Sequence, residues 1–320
     1  MELYDRQERL MGEERQDKLR NSKVLVLGCG ALGSLTANHL ARAGVNLRLV
    51  DRDIVEESNL QRTLYRKKDA GKAKAPALKE ILGRSTEVEI ETVVKDFNRF
   101  SWEETTKNVD LVVDCFDAMR PRYLLNEISV RENIPFVHGA AIKTQGRLKT
   151  FLPEGECLRC LYKEKPEPGS LDTCRDVGVL NSVTSFVSFL QANEALKYIA
   201  DIGEVEQRLI AADLKKNNMN RIEVDKDEGC PVCVQGEYEM LSGEGDLIIR
   251  EICGGYQVVP REVDLDLKGI VENHGGDNKE KFASLDYQGK NVILFEDGRM
   301  RVDTESKDEA KKIYSKIVGL

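Results

Sequence analysis

Long apolar runs are missing from this sequence of 320 residues. No stretch approaches the ~18 consecutive apolar residues of a helical membrane span, and the opening Met1-Glu2-Leu3-Tyr4-Asp5-Arg6 lacks the apolar core of a signal peptide, so no membrane partner and a cytoplasmic location are expected. An excess of positive charge is missing too. With 48 Lys and Arg against 56 Asp and Glu, net charge -8, the chain lacks the electrostatic footprint of a nucleic-acid binder. Only 25 glycines and 8 prolines are present and no repeat recurs at solenoid spacing, which sets aside collagen-like, low-complexity and repeat architectures. What remains, 41% hydrophobic and 32% charged residues at a length worth about two domains, describes a globular chain able to bury a core.

Residues 1 to 22, charged with sparse apolar positions, suit a helical arm lying on something else. Lys23 to Leu27 reads as a buried strand, followed by Gly28-Cys29-Gly30-Ala31-Leu32-Gly33, a helical face of Leu32, Leu35, Leu40 and Ala43, and a second strand ending in Asp51. This order opens a doubly wound α/β domain. Val88 to Val94, Leu111 to Val113 and Pro135 to His138 predict further strands, with a helix over Pro121 to Glu132. Residues 151 to 175 look like a loop-rich excursion, after which Ser182 to Ile199 is helical. The composition changes near Gly236. Residues 237 to 320 carry 18 acidic and 12 basic residues and predict a small α+β module, with a hairpin turned by Asp297-Gly298 and a final helix opened by Ser306-Lys307-Asp308-Glu309. The expected domains are therefore 1 to 236 and 237 to 320.

The glycines at 28, 30 and 33 allow a tight turn, close approach of phosphate and close helix packing, and Asp51 can accept hydrogen bonds from a ribose. At this level NAD and ATP fit equally, and an NAD-dependent oxidoreductase stays open. Arg62 and Lys74, close after Asp51, suit the charge of a triphosphate better than that of a dinucleotide. Asp114-Cys115-Phe116-Asp117 places carboxylates at a strand end, as oxygen ligands for Mg2+ or as helix caps. Two Cys-x-x-Cys pairs, Cys157/Cys160 and Cys230/Cys233, can each supply two tetrahedral metal ligands, or act as separate redox pairs. Cys174 lies in Asp172-Thr173-Cys174-Arg175-Asp176, where Arg175 favours a thiolate and the carboxylates oppose it. His39 and His138 most simply belong to a helix face and a strand end.

Taken in order, the glycine motif, Val50-Asp51-Arg52-Asp53 with Val55-Glu56, Ser58-Asn59-Leu60-Gln61-Arg62, Asp114-Cys115-x-Asp117, Gly139-Ala140-Ala141, the two Cys pairs and Thr173-Cys174 resemble the MoeB/ThiF/HesA family of ubiquitin-activating-enzyme-like adenylyltransferases. The resemblance runs over residues 1 to about 235, and Tyr4-Asp5-Arg6-Gln7 is similar to the family's N-terminal arm. It implies adenylation, with ATP and Mg2+, of the C-terminal glycine of a small ubiquitin-like sulfur-carrier protein. It further implies that Asp51 holds the ribose, that Asn59, Arg62 and Lys74 contact phosphates, and that Asp117 ligates Mg2+. Arg6 would reach the phosphates of a neighbouring protomer in a homodimer, the four paired cysteines would share one structural Zn2+, and Cys174 would handle sulfur. Ala118 stands where the family usually has Asn, residues 237 to 320 fall outside the core family, and no rhodanese-like domain is evident. A non-catalytic scaffold for a ubiquitin-like protein is the remaining alternative, against which Arg62, Lys74 and Asp117 count.

Overall fold

Val24, Leu25, Val26 and Leu27 are apolar at every position and all fully buried, as a strand covered on both faces requires. In the computed structural model, which describes residues 3–163, 177–243, 247–252, 254–261, 263–279 and 282–318, this run is strand β1 (Lys23–Leu27), the middle of the five parallel strands in an eight-stranded sheet. It pairs in parallel with β2 (Asn46–Val50) and β4 (Leu111–Asp114), and these pair in parallel with β3 (Ile90–Val93) and β5 (Phe136–Ile142). Three antiparallel strands, β6 (Gln145–Phe151), β7 (Leu209–Asp213) and β8 (Asn218–Ile222), complete the order β3-β2-β1-β4-β5-β6-β7-β8. The expected doubly wound architecture is present. Strand order reverses between β1 and β4, which opens a crevice at their carboxyl ends.

Alternate residues of β1 feed two cores. Val24 and Val26 join a cluster with Ala37 and Leu40 of α3 (Ala31–Arg42) and with Val187, Ala192 and Ala195 of the long helix Asn181–Ala200. Leu25 and Leu27 face Tyr123, Leu124 and Ile128 of α6 (Met119–Glu132). The N-terminal arm forms α1 (Asp5–Met11) and α2 (Glu13–Asn21), hinged at Gly12 with φ +87°, and buries Met11 and Leu19. Two further helices, α4 (Lys74–Leu82) and α5 (Trp102–Thr106), flank the parallel strands in sequence.

The Gly139-Ala140-Ala141 segment continues β5 to Ile142 and returns as β6, a hairpin where the sequence pattern predicts a strand only as far as His138. Its small residues carry weak strand propensity but make room for the long helix: a Cβ at Gly139 would lie 2.4 Å from Gln191 Cδ.

By its internal contacts the chain divides into two units, Met1–Ser242 and Gly243–Leu320. The first extends past Gly236 because the buried Glu127 carboxylate on α6 accepts from Met240 N at 2.8 Å and Leu241 N at 3.1 Å. The second unit is an antiparallel sheet of β9 (Leu247–Ile252), β10 (Gly255–Pro260), β11 (Asp277–Lys279), β12 (Phe282–Tyr287), β13 (Lys290–Phe295) and β14 (Met300–Val302), in the order β11-β12-β13-β14-β10-β9. Leu267 from the helix Leu267–His274, and Ala310, Ile313, Tyr314 and Ile317 from the helix Lys307–Val318, pack with Val258, Leu285, Val292, Leu294 and Met300. The final helix departs from a simple capping box, since Glu309 N donates to Ser306 Oγ at 3.4 Å while the Glu309 carboxylate turns to the Thr304 hydroxyl.

Candidate functional site

The glycine turn sits where the strand order reverses. Gly28 has φ +93°, and a Cβ there would lie 2.8 Å from the Cys115 carbonyl oxygen; one at Gly33 would lie 1.8 Å from the Gly28 carbonyl oxygen. Packing therefore demands both. Gly30, immediately before α3, has nothing within 4 Å of a would-be Cβ, so the start of α3 is open to an approaching anion.

Asp51, buried at the end of β2, accepts from Cys29 N and from Asp53 N, both at 2.7 Å, one on each carboxylate oxygen. Each oxygen retains a lone pair that a ribose hydroxyl can use. Burial pushes the Asp51 carboxyl above its usual range, with Lys74 opposing and Asp53 adding to the rise. Lys74 opens α4 and lies 3.3 Å from Asp53 Oδ2. Burial alone would depress its ammonium, but the charges of Asp51, Asp53 and Asp117 outweigh this and hold it above the ordinary lysine range. Asp51, Lys74 and Asp117 thus share one electrostatic neighbourhood although the sequence separates them widely.

Asn59 and Arg62 lie on the short turn Glu57–Arg62; Asn59 helps cap it and Arg62 Nη1 donates to Ser58 O at 2.9 Å. Asp117 is exposed just before α6, an available hard oxygen donor of the kind Mg2+ takes alongside waters. Arg6 is exposed on α1. Cys174 falls outside the described residues.

The cysteine pairs do converge. Cys157 immediately precedes the single turn Leu158–Leu161 and Cys160 lies within it, and the sulfurs of Cys157, Cys160, Cys230 and Cys233 all lie within 4.8 Å of one another. The sulfurs are 4.0 Å apart in Cys157–Cys160 and 3.6 Å apart in both Cys157–Cys230 and Cys160–Cys233. Tetrahedral zinc with bonds of about 2.3 Å spaces its sulfurs by about 3.8 Å. The donor set fits Zn2+. Asn126 Nδ2 donates to Cys157 Sγ at 3.6 Å and Asp227 N to Cys160 Sγ at 3.4 Å, contacts that orient and stabilise thiolate ligands. Burial pushes the Cys157 thiol up to about 11, a cost that a divalent cation would offset.

Sequence reasoning did not foresee how several polar residues pair behind the crevice. Arg52 Nη1 pairs with Asp96 Oδ1 at 2.8 Å, and the Tyr65 hydroxyl donates to Cys29 O at 2.8 Å. Asp114 Oδ2 lies 2.6 Å from His138 Nδ1 and 3.2 Å from Arg122 Nε. The signal for this last group was strand register, which pairs Asp114 with His138 on β4 and β5 and cannot be read until the strand order is known.

A doubly wound α/β domain with a glycine turn, a buried carboxylate ending the second strand and a crevice where a lysine meets several carboxylates belongs to the nucleotide-binding class, here with a four-cysteine cluster attached. More narrowly, the chain belongs to the ThiF family, whose model matches residues 4–232. The sulfur carrier protein ThiS adenylyltransferase of Bacillus subtilis is 31% identical over 99% of each chain, so its likeness includes the C-terminal unit. The SAMP-activating enzyme E1 of Haloferax volcanii is 38% identical over 72% of this chain and 87% of its own. These relatives put the chain among the adenylyltransferases. The crystal structure of Escherichia coli MccB with ATP shares the fold, with a TM-score of 0.64 at 23% identity over 73% of this chain and 74% of that one. Among the described residues, no helix is long and apolar enough to cross a membrane.

Proposed function

We propose that the chain uses ATP to adenylate the C-terminal glycine carboxylate of a small ubiquitin-like sulfur-carrier protein, preparing it for sulfur transfer or conjugation. What carries this reading is the grouping of Asp51, Asp53, Lys74 and Asp117 around an open helix start at the reversal of strand order. A lysine paired with Asp53 and under the charges of Asp51 and Asp117 beside the glycine turn suits a triphosphate and its metal better than the pyrophosphate of NAD.

In this mechanism Asp51 orients the ribose and the Gly28–Gly33 turn receives phosphate. One carboxylate oxygen of the carrier attacks the α-phosphorus, the bond to the bridging oxygen breaks, and pyrophosphate leaves with its electron pair. Asn59, Arg62 and Lys74 meet the growing charge on the leaving group, Lys74 by turning from Asp53 to the phosphates. Asp117 would hold Mg2+, which supplies screening of the triphosphate. No protein nucleophile is needed. Arg6 would complete the phosphate site of a second protomer, making a homodimer the active unit. Cys157, Cys160, Cys230 and Cys233 would hold Zn2+ as a closed structural site, leaving no open position for a substrate.

ATP-pyrophosphate exchange by the full chain with a ubiquitin-like carrier tests the reading. Exchange that disappears when the carrier lacks its terminal glycine is expected. Binding of NAD without any exchange, or tight carrier binding without exchange, would replace it with the oxidoreductase or the scaffold respectively.

A further inference from the structure

Behind the exposed Asp117 lies a polar group that the adenylation chemistry does not itself employ. Asp114, the last residue of β4, stands in parallel register with His138 on β5, and both are fully buried. His138 Nδ1 lies 2.6 Å from Asp114 Oδ2, while the other oxygen, Oδ1, accepts from Phe116 N at 3.0 Å. Arg122, in the second turn of α6, reaches back under the loop. Its Nε lies 3.2 Å from Asp114 Oδ2, an ion pair outside hydrogen-bond geometry, and its Nη2 donates both to Phe116 O and, at 2.9 Å, to Gly139 O. The amide and carbonyl of Phe116, the residue immediately before Asp117, are therefore both tied to this buried trio.

Stability alone is a poor reason for the arrangement, because well-packed apolar residues usually serve a core as well as a buried ion pair does. The trio also leaves His138 Nε2 buried with no hydrogen-bond partner among the described residues, a further cost. What it does achieve is to fix a loop of a few residues from both sides at the carboxyl edge of the sheet. We infer that His138 and Arg122 are positioning residues for Asp117: His138 secures Asp114 Oδ2, so that Oδ1 holds the Phe116 amide, and Arg122 ties the Phe116 carbonyl to β5. Together they aim the Asp117 carboxylate at metal-bound phosphate. The inference rests on the reading of Asp117 as the Mg2+ ligand of an ATP site.

The test is equilibrium binding of ATP to the full chain, with and without Mg2+, which requires no carrier. The wild-type chain is expected to bind ATP more tightly with Mg2+. His138→Phe keeps an aromatic ring but loses the donor, and should lose about tenfold in the Mg2+-dependent part of the affinity, as partners of metal ligands typically do, while metal-free ATP affinity stays within about twofold. His138→Asn places an amide N–H near the position of Nδ1 and should restore most of the loss. Arg122→Lys keeps the charge but cannot span Phe116 O and Gly139 O, so it should resemble His138→Phe. A merely structural role would lower both affinities together and thermal stability with them. An unchanged Mg2+ increment in His138→Phe and Arg122→Lys would overturn the positioning role and leave the ATP reading intact. A wild-type chain that binds ATP without any Mg2+ increment would overturn the metal reading of Asp117 and this inference with it.

Discussion

Buried and half-buried charge is used differently in the two units. In Gly243–Leu320 it closes on itself: Arg299 is 1% exposed, pairs with Asp297 two residues away at 2.7 Å, and stacks 4.3 Å over Phe295 within the same hairpin. In the first unit the charges around the crevice come from far apart, Asp51 after β2, Lys74 at the start of α4 and Asp117 before α6, yet both carboxylates act on Lys74. A local pair shapes a turn. Convergence from distant segments at one sheet edge is expensive to arrange and is better explained by a ligand. The variants below test that contrast.

The largest effect should come from removing a charge that is proposed to meet the phosphates or their metal. Arg62→Ala and Asp117→Ala are each expected to lower ATP-pyrophosphate exchange about 100-fold or more with the circular dichroism spectrum unchanged, because Arg62 is half-buried, Asp117 is exposed, and neither belongs to an apolar cluster. Arg299→Ala, a larger structural insult in the other unit, should leave the rate constant for exchange alone and lower stability. Near wild-type exchange in both Arg62→Ala and Asp117→Ala would erase the distinction.

Next in size is the metal. Metal analysis of protein purified without chelator should give one zinc per chain, and Cys230→Ser should lose it. Because the cluster joins the turn at Leu158–Leu161 to the distant segment at Cys230, losing it should lower the melting temperature by several degrees, at about 2–4 °C per kcal/mol for a domain of this size. Protein that is folded and free of zinc, or in which one pair is oxidised to a disulfide under reducing conditions, would contradict this.

How much of this contrast the sequence carried depends on whether the signal was local. The glycine turn, β1, α3 and Asp51 are contiguous, and apolar runs with a helical face were enough to place them. Strand β8 was missed because it is exposed along its whole length, and the continuation of β5 past His138 because it is rich in Gly and Ala, so neither shows the pattern of a half-buried strand. The four thiols were legible as two pairs, and only folding brings the pairs together. Glu127, a buried acid in mid-helix, gave no hint that it would hold the backbone of Met240 and Leu241 and carry the first unit on to Ser242.

A smaller effect is expected from the C-terminal unit. A chain ending at Ser242 keeps both backbone bonds to Glu127. It should remain folded and catalyse exchange with a similar rate constant but a carrier KM raised several-fold, if residues 243–320 help to hold the carrier. Unchanged carrier kinetics together with a weakened dimer would assign the unit to assembly instead.

The smallest effect, none on exchange, is expected for Cys174→Ser. The adenylation step breaks a phosphate bond under attack by a carboxylate oxygen, so a thiol has nothing to contribute to it. Passing sulfur to the activated carboxylate is different, since a persulfide or an acyl-thioester on a cysteine divides that transfer into two easier steps. Asp172 and Asp176 flank Cys174 and make its thiolate harder to form, with Arg175 opposing them, so the later step should show the rate loss only where the thiolate is required. Exchange at the wild-type rate combined with failure to form thiocarboxylate or thioester is the expected result. Loss of exchange in a folded, zinc-loaded chain would move the thiol into the crevice and place Cys174 with the converging charges rather than after them.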